Sequence, residues 1–105
     1  MESALIQSNL MYSKFRRYLS VVSKVTGEDE AVILKTHRYP YSHYRGIIAS
    51  MLSDDGYSLH EIGKALGRAH CTVYNAIQLA RGSVNNPTKR DVYEIMQQCL
   101  REVGR

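Results

Sequence analysis

The sequence predicts an all-α protein of about six helices, and three observations carry that reading. Apolar residues recur at steps of three and four along nearly the whole chain, and no strand-like alternation of useful length interrupts them. Glycines and capping residues punctuate the pattern at helix-length intervals. With 105 residues, 44% hydrophobic and 23% charged, the chain has the size and composition of one globular domain. Stability at that size is roughly 5–10 kcal/mol.

The first helix follows from Met11, Phe15, Tyr18, Val22 and Val25, which form one stripe, with Lys14, Arg16, Arg17 and Lys24 mostly off it. Gly27 is its natural stop. Glu28-Asp29-Glu30 then suits the positive end of a short helix carrying Ala31 to Leu34. Pro40 breaks the pattern and biases Tyr39 away from helix, so residues 36–44 read as a loop. A third helix is expected from about Ser42 or His43 to Ser53, burying Ile47, Ile48, Met51 and Leu52, with Asp54-Asp55-Gly56 as an ordinary turn after it.

Ser58 and Glu61 form an S-x-x-E capping box that opens a fourth helix, whose apolar face is Leu59, Ile62 and Leu66. Gly67 ends it, and a fifth helix follows with Val73, Ala76, Ile77 and Ala80 inward. Asn86-Pro87-Thr88 starts the last helix, where Thr88 and Asp91 repeat the capping logic. Its apolar side is Val92, Ile95, Met96, Cys99 and Val103.

Two short helices joined by a glycine turn describe a helix-turn-helix. Gly63 falls where the two would cross, Gly67 where the turn wants positive φ, and Val73 where the second helix must bury a branched group. That second helix offers Cys71, Thr72, Tyr74, Asn75 and Gln78 outward, short polar groups able to reach base edges or phosphates in a major groove. The net charge of +4 favours a polyanionic partner. Over residues 35–81 six cations (Lys35, Arg38, Arg45, Lys64, Arg68, Arg81) face three acids (Asp54, Asp55, Glu61).

The run Ser58-Leu59-His60-Glu61-Ile62-Gly63, then Gly67-Arg68-Ala69-His70-Cys71-Thr72-Val73 and Ala76, resembles the C-terminal DNA-binding domain of the bacterial replication initiator DnaA. The resemblance covers about residues 21–103. It implies a Trp-repressor-like fold and binding to double-stranded DNA. It also implies that Arg68, His70 and Thr72 contact DNA from the start of the recognition helix, that Cys71 stands where a threonine reads a base, and that His60 lies close to a phosphate. By the same resemblance Arg45 matches an arginine near a basic loop that probes the minor groove, a loop that Lys35, His37, Arg38 and His43 make cationic here. Asn75 and Lys64 complete the expected contacts. Ala69 replaces an aspartate of the family and Asn75 a frequent histidine, departures that bear on which sequence is read rather than on duplex binding. The chain has no G-x-x-x-x-G-K-[ST] phosphate loop, hence no ATPase motor.

Other classes are set aside. No apolar run is long enough to span a membrane, and the N-terminus lacks the pattern of a secretory signal, so a cytoplasmic, nucleoid-associated protein is expected. The two cysteines are expected as reduced thiols. The four histidines have no ligand spacing with them, so neither metal nor cofactor is expected. His70 and Cys71 are helix neighbours pointing about 100° apart, which argues against a catalytic pair and against an enzyme. Tyr39, Tyr41 and Tyr44 among Arg38, His43 and Arg45 would either stack on bases or pin the loop to the core. The rival reading is an interaction module, with residues 1–26 as a homodimer or partner surface and residues 27–105 as the core.

Overall fold

The computed structural model describes the backbone of residues 2–105, and the side chains of residues 10–83 and 85–105. It is all-α as predicted: α1 (Glu2–Thr26), α2 (Glu30–Lys35), α3 (Tyr41–Asp54), α4 (Leu59–Leu66), α5 (His70–Gly82) and α6 (Arg90–Glu102), with 3₁₀ turns at Ser83–Asn85 and Pro87–Lys89. There is no strand among the described residues.

α3 is the central helix. Ile47, Ile48, Ala49, Met51 and Leu52 are each at most 1% exposed, and every residue from His43 to Leu52 is buried, so other elements enclose the helix on every side. α1 and α5 pack on different parts of it, and α2, α4 and α6 close the remainder. On α1 the predicted stripe is the buried one: Met11, Phe15, Tyr18 and Val22 enter the core, with Val25 packed against it, and Leu19, outside the predicted set, joins them. Gly27 stops α1 with φ +75°, and its N–H closes on the Ser23 carbonyl. Asp29 then caps α2, its carboxylate accepting from the Ala31 N–H at 2.7 Å.

α3 and α5 touch along their backbones. A β-carbon at Gly46 would fall on the Ala76 carbonyl oxygen and lie 3.2 Å from the Ala80 β-carbon, so only glycine lets the two helices meet. A β-carbon at Gly63 would lie 2.5 Å from the Arg68 carbonyl oxygen and 3.6 Å from the Val73 side chain, so glycine is needed there for the turn to fold back on α4 rather than for the helix crossing expected.

Three local expectations are corrected. α3 begins at Tyr41, directly after Pro40, because the Pro40 carbonyl already accepts from the His43 and Tyr44 N–H groups. Asn86 caps the 3₁₀ turn Pro87–Lys89 that precedes α6, its side chain accepting from the Thr88 N–H, while α6 itself starts after Lys89 with no side-chain cap; Thr88 is not the cap. Asp55 is more than a turn residue. Its carboxylate, 8% exposed, accepts from Tyr18 Oη at 2.5 Å, pairs with Arg105 and lies 3.5 Å from Lys14 Nζ. Asp54 holds Arg81 at 3.0 Å.

Cys99 is fully buried, and burial pushes its thiol up to about 12, while Cys71 is exposed; neither forms a disulfide. A thiol held that far from ionisation is inert.

Candidate functional site

The unit expected to carry function is α4, the turn Gly67-Arg68-Ala69, and α5. The capping box is complete: Ser58 Oγ accepts from the Glu61 N–H at 3.2 Å, and the Glu61 carboxylate accepts from the Ser58 N–H at 3.1 Å. Gly67 ends α4 with φ +67°, and the Arg68 N–H reaches back to the Gly63 carbonyl at 2.9 Å while the Gly67 N–H reaches Lys64. That is a Schellman stop, which redirects the chain within three residues. Ile62, Leu66, Val73, Ile77 and Ala80 bury the facing sides.

The outward side of α5 is open. Cys71, Thr72, Tyr74, Asn75, Gln78 and Leu79 are all exposed, as predicted for the first five. Ala69, the N-cap, has no side-chain oxygen to offer the first-turn N–H groups. His70 is exposed and its ring lies 4.5 Å from that of His60, so α4 and the start of α5 share one surface. Lys64, exposed one turn on from His60, is on the same face of α4. Sequence reading does not pair the two histidines, since ten residues and a turn separate them.

Lys35 and Arg38 are exposed, but the two other loop-side candidates are not. Arg45 is 6% exposed, and its Nη1 donates to the Ile33 carbonyl at 2.7 Å and the Thr36 carbonyl at 2.6 Å. Burial, then the charge of nearby Arg68, lower its pKa. The expected minor-groove probe is instead a cap for the C-terminal end of α2, where orphan carbonyls concentrate negative charge. Arg68 is half-buried and helps to cap the same helix end, its Nη2 donating to the Leu34 carbonyl at 2.8 Å. It keeps part of its guanidinium toward solvent, so it ties α2 to the turn and still borders α5.

His43 is also 6% exposed, with the Tyr39 ring edge-on at 5.1 Å. The tyrosines pin the loop to the core. Tyr39 Oη donates to Asp91 at 3.2 Å beneath Lys89 Nζ, which sits 3.7 Å from its ring centre, and Tyr41 Oη donates to Glu28 at 3.1 Å. Tyr44 is buried, edge-on to Tyr41.

Burial first, then Lys89, lower the His43 pKa, with Asp91 opposing. The fold therefore favours neutral imidazole. The stability this contributes is present above the ordinary value of about 6.5 and is lost as pH falls through the lower folded value. Melting temperature measured between pH 8 and 5 should fall on acidification more steeply for the wild type than for His43→Gln. Parallel profiles would refute this role.

A recess of about 140 Å³ opens beside the α5 face, between α3's first turn and α5; Ser42, Arg45, Arg68, Thr72 and Asn75 edge it, and Leu66, Val73, Ala76 and Leu79 form its apolar walls. It joins the loop side of the molecule to the α5 face. No group of three or more metal-ligating side chains occurs among the described residues. No helix among them is long and apolar enough to cross a membrane.

The class defined so far is an all-α protein that displays one helix on a glycine turn. No protein family, curated protein or solved structure matches the chain.

Proposed function

We propose that the protein binds double-stranded DNA, with α4 and α5 acting as a helix-turn-helix and α5 entering the major groove. The observation that carries this reading is the exposed polar stripe of α5, held on a Schellman turn with Lys64 on α4 and Arg68 in the turn beside it; Lys35 and Arg38 add exposed positive charge at and after the end of α2. Cys71, Thr72 and Asn75 face the bases; His60, His70 and the four cations face phosphates. His43 and Arg45 support the loop and make no DNA contact. The DnaA-like and Trp-repressor-like assignment rests on the signature residues between Ser58 and Val73.

Three exposed cations and the half-buried Arg68 set the electrostatics. Fluorescence anisotropy on a labelled duplex should give a log–log salt slope of about −3 to −4. Lys64→Ala should reduce that slope by about 1 and change the melting temperature little, because the side chain is exposed and its only role in the fold is that of a cation in the last turn of α4. Arg68→Ala is the poorer probe, since it also releases Leu34. Absence of duplex binding at about 50 mM salt would overturn the proposal.

The rival reading places a homodimer or partner surface on α1. Among the described side chains it has Leu10 and Tyr12, 53% and 42% exposed, single apolar groups of a kind ordinary on any surface. The side chains of residues 1–9 lie outside those described.

A further inference from the structure

We infer that α5 selects A·T base pairs, reading two successive pairs through Asn75 and Gln78; the inference rests on the duplex-binding reading above. Cys71, Asn75 and Gln78 follow one another at steps of four and three, so they lie along the outward centre line of α5, and all are exposed. An amide presents one donor and one acceptor side by side, which matches the N6 donor and N7 acceptor of adenine. Three residues of helix advance about 4.5 Å, close enough to the roughly 3.4 Å base-pair step for neighbouring pairs to be reached.

The same stripe lacks the readers that G·C needs. Guanine shows two acceptors and is met by Arg or Lys; cytosine shows an amino donor and is met by Asp or Glu. α5 contains no Lys, Asp or Glu. Its one arginine, Arg81, is turned toward α3, held by Asp54 at 3.0 Å and Ser50 Oγ at 3.2 Å. His70 lies against His60.

The flanks of the stripe are apolar where a thymine methyl would come. Leu79 and Tyr74 are each 51% exposed, one on either side of the centre line, and Leu79 with Ala76 continues into the apolar walls of the recess. Single apolar groups at this exposure are ordinary on a surface that meets only water. Against the C5-methyl of thymine they become contact area.

The test uses the whole chain and four duplexes with identical flanks and a short central core of A·T, A·U, G·C or inosine·C pairs. Inosine·C resembles A·T in the minor groove and G·C in the major groove, so it isolates the groove being read. Anisotropy should show the A·T core bound about 10- to 100-fold more tightly than both G·C and inosine·C, with A·U in between for want of the methyl. Asn75→Ala and Gln78→Ala should each erode the preference while keeping the salt slope. Equal affinity for all four duplexes with the salt slope intact would overturn the A·T inference and leave duplex binding standing. Inosine·C bound as tightly as A·T, or a G·C preference, would overturn it as well. Failure to bind any duplex would overturn both readings.

Discussion

Gly46→Ala should destabilise the protein by about 3 kcal/mol, near the upper end of what overpacking a tight contact costs. Alanine is the better helix former by about 1 kcal/mol, so the variant would gain stability if the site had room. It has none. The added carbon would fall on the Ala76 carbonyl oxygen, with the Ala76 carbonyl carbon 2.9 Å away. Both are backbone atoms and no rotamer change can clear them. Relief requires α5 to move off α3, which opens the packing of Ile77 and Ala80 against the centre of the core. Out of a total of roughly 5–10 kcal/mol, that loss would be plain in urea unfolding followed by circular dichroism. An unchanged midpoint would show that the two helices are not in backbone contact.

Arg45→Met should cost about 2–3 kcal/mol while leaving the salt slope of duplex binding as it was. Methionine replaces the aliphatic stem but leaves the Ile33 and Thr36 carbonyls without their charged donor. α2 has only six residues, too few to hold a helix unaided, so its C-terminal end depends on such outside partners. The measurement separates two roles. A cap loses stability and a groove probe loses affinity. Wild-type stability with weakened DNA binding would restore the minor-groove role that the family resemblance implies.

What can be read from the sequence is local. The stripe of α1, the Ser58–Glu61 box and the Gly67 stop each depend on residues within a few positions of one another, where period and capping chemistry suffice. Arg45 misleads because its burial depends on α2 folding back over α3. A cation in a polar, aromatic run looks solvent-facing until that partner is in place. Asp55 reads as a turn since its partners Tyr18 and Arg105 are 37 and 50 residues away. Gly46 carries no local signal either. It sits inside an ordinary helical pattern, and only the approach of Ala76 makes it necessary. Of the candidate interface, the exposed positions on α5 follow from periodicity, whereas the pairing of His60 with His70 and the recess beside Leu79 need the turn geometry.

The carboxylate of Asp55 joins three distant stretches of chain: Lys14 and Tyr18 on α1, the end of α3, and Arg105 after α6. Fraying therefore has no independent place to start among these three. Loosening Arg105 withdraws a donor from both Asp55 and Tyr18, whose hydroxyl it also contacts at 3.0 Å, and so weakens the seat of α1 as well. Segments coupled in this way open as one cooperative unit rather than one after another. A single acid at the end of a helix thus sets how large a piece of the molecule must let go at once.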